Sequence, residues 1–178
     1  MVDRIKVNMN ALEGMIYFWQ SCTEKEKVSE QFLNDLSSMP ELTCFYDEEF
    51  DGESVRRTLS AITNREPFKA NSKKESRFWN YNMWVMEDME YTKAMIDPLK
   101  KLNLSSIIEE INSKKDCPFE EIEVIFTPMH FDDFIVSKNK LIINFFKVKP
   151  GDFDDNTYIG DIEIKEYILD KIINNVLK

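Results

Sequence analysis

Cys117-Pro118-Phe119-Glu120-Glu121-Ile122-Glu123-Val124-Ile125-Phe126 is the stretch at which the pattern of the chain changes. Before it, apolar residues recur at intervals of three and four. After it, Ile122, Val124 and Phe126 alternate with Glu121, Glu123 and Ile125, the period of a strand with one face buried. Downstream, Phe134 to Val136 and Leu141 to Val148 flank Ser137-Lys138-Asn139-Lys140, which reads as a hairpin turn with Asn139 as the residue that tolerates a positive φ. Tyr158 to Ile164 contains Gly160-Asp161, a type II′ turn signal, and Ile164, Ile168, Ile172 and Val176 line one face of a closing helix.

Upstream of Cys117 the spacing is helical. Leu12, Met15, Ile16 and Trp19 form one stripe over Ala11 to Cys22. Thr23 with Glu26 has the form of a capping box for a helix carrying Val28, Phe32 and Leu36, which should end before Pro40. Asp51 is placed to cap a helix with Val55, Leu59 and Ile62, after a connecting segment from Glu41. Ser72-Lys73-Lys74-Glu75 is a second capping box. It opens a helix that runs from Arg77 to Ile96, ends at Asp97 before Pro98, and is apolar nearly all round for its first three turns, the signature of burial on several sides. A shorter helix, capped by Ser106 with Glu109, uses Ile107, Ile108 and Ile111.

Helices followed by consecutive strands define an α+β fold. The expected architecture is an N-terminal helical part around the aromatic helix, then a small antiparallel sheet of meander or hairpin type, then a C-terminal helix. With 178 residues, 43% of them hydrophobic, and only 4 Gly and 6 Pro, the chain is expected to be one domain, residues 1–178, helical to about residue 116 and sheet plus terminal helix from about 117.

The totals exclude several function classes. No apolar run approaches the roughly 20 residues of a membrane span. Asp3, Arg4 and Lys6 precede an apolar run without a small-residue cleavage pattern, so a cytoplasmic address is expected. Cys22, Cys44 and Cys117 are three, widely spaced and without a Cys-x-x-Cys pair, which suits free thiols better than disulfides or a zinc finger. A net charge of −10 argues against binding to a nucleic-acid backbone, which needs cations to displace counterions.

Charge is nevertheless segregated. Glu41 to Glu53 holds six acids and no base, Asp47, Glu48, Glu49, Asp51 and Glu53 lying closest together. Arg56 to Arg77 holds seven bases against two acids and contains four of the five arginines, Arg56, Arg57, Arg65 and Arg77. Those arginines, beside Trp79, Tyr81 and Trp84, are the residue types that recognise carboxylates, phosphates and protein partners. Their alternative role is to pair with Glu48, Glu49, Asp51 and Glu53 while the aromatic rings pack the core. Asn80 and Asn82 in so apolar a helix must find partners, as clamps or as ligand contacts.

The segment after Gly151 is acidic again. Asp152, Asp154, Asn156 and Glu163 occupy the first, third, fifth and twelfth places of a calcium loop of the kind found in EF-hands, which they resemble in spacing, with Thr157 where that loop has glycine. Asp152 or Asp161 followed by Glu163-Ile164-Lys165 resembles the Asp…Glu-x-Lys pattern of restriction-endonuclease-like nucleases. That pattern implies a magnesium ion held by two carboxylates and a basic groove for nucleic acid, which the neighbouring acids do not supply. His130 with Asp132 and Asp133 has the composition of a general base and its orienting carboxylate, without a nucleophile at a defined spacing.

These features rank as follows. The foremost expectation is a non-enzymatic acidic module, such as an inhibitor or immunity-type protein, that binds a protein partner with a basic surface and needs no cofactor. The alternatives are a calcium- or magnesium-dependent protein using the acids of residues 152–163, and a small-anion site at the arginine cluster.

Overall fold

The computed structural model describes all 178 residues, Met1–Lys178. Its contacts divide the chain into two compact units that interleave along the sequence, one of residues 9–92 and 127–132 and the other of residues 1–8, 93–126 and 133–178. No helix is long and apolar enough to cross a membrane.

The first unit is helical. It contains α1 (Asn10–Thr23), α2 (Glu30–Ser37), the single turn α3 (Pro40–Thr43), α4 (Gly52–Thr63) and α5 (Lys73–Glu87). Leu12, Met15, Phe18 and Trp19 of α1 are fully buried, and so are Leu33, Val55, Leu59 and Phe78 from the helices packed with it. Three of these helices start on a side-chain cap. Ser29 Oγ accepts from the Phe32 amide to begin α2, Asp51 and Ser54 form a reciprocal capping box on α4, and Ser72 Oγ accepts from the Glu75 amide to begin α5.

Thr23 is not the cap its spacing suggests. Its hydroxyl donates back to the Gln20 carbonyl, and α1 ends through Lys25 at φ +63, with the Glu26 amide bonded to Ser21 O. Thr23 is the last residue of α1, and the next helix starts only at Glu30, so no helix start lies within its reach. α4 ends the same way, through Arg65 at φ +56, with the Arg65 and Glu66 amides donating to Ile62 O and Ala61 O.

The aromatic helix is also shorter than its composition suggests. Asp88, at φ −142 and ψ 90, interrupts it, and its carboxylate accepts from the Tyr91 amide to start a new helix, α6 (Met89–Lys100). Thr92 Oγ1 donates to Val85 O across the break. Pro98 does not stop α6, which runs two residues past it. α5 buries one stripe, Glu75, Phe78, Asn82 and Val85, rather than several sides, and leaves Trp84 44% exposed against Tyr91.

Asn82 explains its place in that stripe. Its amide group donates to Phe78 O at 2.8 Å and its Oδ1 accepts from Trp19 Nε1 at 2.8 Å, both within the core, whereas Asn80 is exposed. Replacing Asn82 with leucine removes the acceptor from a fully buried indole N–H. We expect a loss of about 2 kcal/mol in urea unfolding, and a loss below about 0.5 kcal/mol would show that the clamp contributes nothing.

The second unit holds the sheets. β1 (Arg4–Asn8), β2 (Glu121–Thr127), β3 (Phe134–Ser137) and β4 (Lys140–Asn144) form a four-stranded sheet in the order β1-β2-β4-β3. The β3–β4 hairpin turns at Lys138, whose φ is +54, while Asn139 uses its side chain to donate to Glu121 O. The predicted strand to Val148 is cut at Asn144, whose side chain caps a 3-10 turn at Phe145–Lys147. A second sheet, β5 (Val148–Pro150), β6 (Thr157–Ile159) and β7 (Ile162–Glu163), is antiparallel, with Gly160 at φ +61 in its tight turn.

β1 is an addition to the expected sheet. It pairs parallel with β2, Val7 opposite Val124, so the sheet is mixed rather than purely antiparallel. Its entry is fixed by Asn112, which accepts from the Val2 amide and donates to the Val2 carbonyl, both at 2.9 Å. α7 (Ser105–Lys114) packs on β1 and on α8 (Ile164–Lys171), and the π-helical turn Ile172–Val176 that continues α8 packs on β3 and β4. The stripe Ile164, Ile168, Ile172 and Val176 is buried, as the spacing predicts.

Candidate functional site

Within the helical unit, the segment between α3 and α4 carries the densest acidic charge and is built around an inward-pointing ring. Phe50 is 1% exposed and meets Phe78, Phe45 and Tyr46, while its neighbours Glu48, Glu49, Asp51 and Glu53 are exposed. Alternation of a buried aromatic with exposed carboxylates follows from a tight turn. The Asp47 amide donates to Phe50 O at 2.8 Å, the Glu49 amide donates to Asp47 Oδ1, and Tyr46 Oη donates to Ser37 O.

That turn is tied to the start of α5. Ser72 Oγ donates to Glu49 O, and Lys74 Nζ lies 2.6 Å from Asp47 Oδ2 and 3.8 Å from Glu49 Oε1. Between the two lies an open depression of about 370 Å³ lined by Glu48, Glu49, Asp51, Glu53 and Glu75, with Arg57 its only basic side chain.

Arg57 does not neutralise that rim, because it is committed elsewhere. Its Nη1 contacts both carboxylate oxygens of Glu75 at 2.9 and 3.1 Å, its Nη2 donates to Lys69 O, and Phe68 lies under the guanidinium at 5.4 Å. Glu75 is 4% exposed and also accepts from the Asn71 amide. Desolvation pushes its carboxyl upward, but the Asn71 amide, the Ser54 hydroxyl and Arg57 outweigh it and hold the group below the usual range. Glu75 therefore leaves the capping-box role its spacing suggests and serves as the buried counter-ion of Arg57.

The other arginines are dispersed. Arg56 is bound by Glu53 and Glu30, which keep its guanidinium firmly protonated. Arg56 and Arg57 border one shallow depression of about 340 Å³, of which Arg65 and Arg77 are not part. Arg65 is the left-handed residue ending α4, and Arg77 lies 4.3 Å over the ring of Phe131. Trp79 is half-buried and Trp84 exposed.

Two of the acids of residues 152–163, Asp154 and Glu163, are held by local bonds. Asp154 accepts from the Asn156 amide and from Tyr158 Oη, and Glu163 caps α8 through the Lys165 and Glu166 amides. Asp152, Asp154 and Glu163 do not converge. No three His, Cys, Asp or Glu side chains anywhere in the chain gather closely enough to share a metal ion.

His130 occupies a position that its sequence neighbours do not reveal. It is 4% exposed, packed at 4.5 Å from Phe50 and 5.5 Å from Phe45 between ring centroids. Neither ring nitrogen makes a well-formed hydrogen bond, although the Phe45 backbone lies near enough to favour the protonated ring. Asp47 Oδ2 stands 3.9 Å from Nε2. Burial pushes the imidazole pKa down, Asp47 pulls it up and Lys74 pushes it down again, leaving it below the ordinary histidine value. Asp47 itself is raised by desolvation but lowered more by Lys74 and the Glu49 amide. No spacing could have joined Asp47, Lys74 and His130, since packing alone brings them together.

The chain is an α+β protein whose helical unit carries an acid-lined depression. No protein-family model, curated protein or solved structure matches the chain.

Proposed function

We propose that the chain is a non-enzymatic binding module whose acidic rim, Asp47 to Glu53, receives a lysine- or arginine-rich segment of a protein partner. The observation that carries this reading is the depression lined by Glu48, Glu49, Asp51 and Glu53, in which the one lining guanidinium, Arg57, is held by Glu75, and Arg56 engages Glu53 alone of the four. Carboxylates around a concavity concentrate negative potential, and an aliphatic stem ending in a cation suits its charge. An inhibitor or immunity-type role against a basic partner agrees with that chemistry and with the net charge of −10.

An oligolysine peptide tests the reading, with binding followed by calorimetry at low and high salt. Affinity should fall steeply as the Debye length shrinks to about 10 Å near 0.1 M salt. Replacing Glu48 and Glu49 together with glutamine should weaken binding about five-fold, while Asp152→Asn with Asp154→Asn should change it less. Binding that ignores salt, or that survives E48Q/E49Q unchanged, would remove the rim from consideration.

A further inference from the structure

We propose that His130 is a proton-operated latch on the acidic rim: neutral, it packs against Phe45 and Phe50 and leaves Asp47 to Lys74, and protonated, it takes the Asp47 carboxylate and loosens the turn that presents Glu48 and Glu49. The consequence for partner binding rests on the function proposed above, whereas the latch itself does not.

The geometry has three parts. First, the imidazole is buried against the rings of Phe45 and Phe50 and lacks a well-formed hydrogen bond, so the neutral ring costs less there than the charged one, which has no solvent. Second, the charged groups around it are few: Asp47 from the turn before α4, Lys74 from α5 and Asp132 on its own loop, with the Phe45 backbone beside them. Glu49 acts on this set through Lys74. At 3.9 Å the Asp47 carboxylate is too far for a hydrogen bond with Nε2 but near enough for an imidazolium to draw it in.

Third, Asp47 is the hub of the exposed turn. Its Oδ1 holds the Glu49 amide, its Oδ2 holds Lys74, and its own amide bonds Phe50 O. Movement of this one carboxylate toward His130 releases the Lys74 ammonium toward the rim and withdraws one negative charge from it. A buried protonation thereby becomes a change in the charge of the rim.

The direction of the pH response follows from the depressed imidazole pKa. The unfolded chain takes up a proton near the ordinary value of about 6.5, and the native cage takes it up only at lower pH. Native stability is therefore whole above about pH 6.5 and declines as pH falls from there toward the folded pKa. The strain of a charged ring in the cage is what drives it toward Asp47.

The chain contains one histidine, so its ring proton signals are unambiguous in NMR spectra. A titration of the full chain from about pH 8 to pH 5 should show the ring and the Glu49 and Lys74 amides moving with one midpoint below about 6.5. His130→Phe, which preserves the aromatic packing, should abolish the amide transition. Asp47→Asn should lower the ring midpoint further and uncouple Glu49 from it, and this variant decides the matter if H130F does not fold.

The latch is overturned if the ring titrates while Glu49 and Lys74 stay still, if H130F keeps their transition, or if the chain unfolds before the ring takes up a proton. Oligolysine binding separates the two ideas. Wild-type affinity should be about five-fold weaker at pH 5.5 than at pH 7.5 and nearly level in H130F. Absence of oligolysine binding at both pH values defeats the proposed function, and the NMR coupling still judges the latch.

Discussion

Truncation of Phe50 to alanine should destabilise the protein by about 4 kcal/mol, the largest single effect expected from the acidic segment. Phe50 is 1% exposed, with its ring centroid 5.1 Å from that of Phe78 and 4.5 Å from that of His130. Alanine leaves a cavity between α5 and the turn, and the turn cannot collapse into it while the Asp47 amide is tied to Phe50 O. Urea unfolding measures the loss. Phe153, which is fully solvent-exposed, supplies the control, and its alanine variant should stay within about 0.5 kcal/mol of wild type. The cavity should also admit water to His130. Because desolvation is the main cause of its lowered pKa, the imidazole should move back toward its ordinary value. A cost for F50A below about 1 kcal/mol would mean that Phe50 does not anchor the rim.

Glu75→Ala comes next, with an expected cost of about 3 kcal/mol, since it leaves the Arg57 guanidinium half-buried without its counter-ion and the Asn71 amide without its acceptor. Glu75→Gln should cost less, because the amide oxygen can still accept from Asn71. Removing Arg57 as well should recover part of the E75A loss in a double-mutant cycle. Glu53→Ala breaks a solvent-exposed pair with Arg56 and should cost below about 1 kcal/mol. The pH dependence has a definite sign. Glu75 is held below its ordinary carboxyl pKa in the folded chain, so its contribution is complete above about pH 4.5 and disappears as pH falls through the folded value. Acid unfolding of E75Q should accordingly be shallower than that of wild type. Equal costs for E75A and E53A would refute the distinction between the buried and the exposed pair.

Local chemistry was read correctly where a residue bonds to its near neighbours. Asp51 capping α4 and Ser72 capping α5 are satisfied within a few residues of themselves, and their signals are visible in a short window. The β3–β4 hairpin lies where its turn residues placed it, but its left-handed residue is Lys138 rather than Asn139, whose side chain is held by Glu121 O. Thr23 shows the limit of that logic, because α1 runs through it and the next helix starts only at Glu30, behind Ser29. The break at Asp88 was hidden for a similar reason. The apolar run from Phe78 to Ile96 continues on both sides, and only Asp88 capping a new helix and Thr92 bonding back to Val85 reveal the interruption. β1 alternates Ile5 and Val7 with Arg4 and Lys6, but five residues of alternation specify no partner. Its partner, β2, lies more than a hundred residues away.

The candidate site divides along the same line. The acidic character of Asp47 to Glu53 and the basic character of Arg56 to Arg77 are properties of the chain itself. Arg56 is taken by Glu53, one of the acids the alternative reading named, and by Glu30, while Arg57 is taken by Glu75; spacing singled out neither Glu30 nor Glu75 as a partner. Asp152, Asp154 and Glu163 have the spacing of a metal loop, yet the oxygens of Asp154 and Glu163 hold nearby amides and a tyrosine hydroxyl.

By itself the sequence determined the α+β class, the caps of α4 and α5, the buried stripe of the closing helix and the segregation of charge, because each depends on periodicity or on bonds a few residues long. The tertiary structure alone decided that Arg57 faces a buried carboxylate, that Asn82 clamps Trp19, and that His130 meets Asp47 and Lys74 in an aromatic cage. Those pairings join residues distant in the chain. Their energies come from desolvation and close approach, quantities that exist only once the helices have packed.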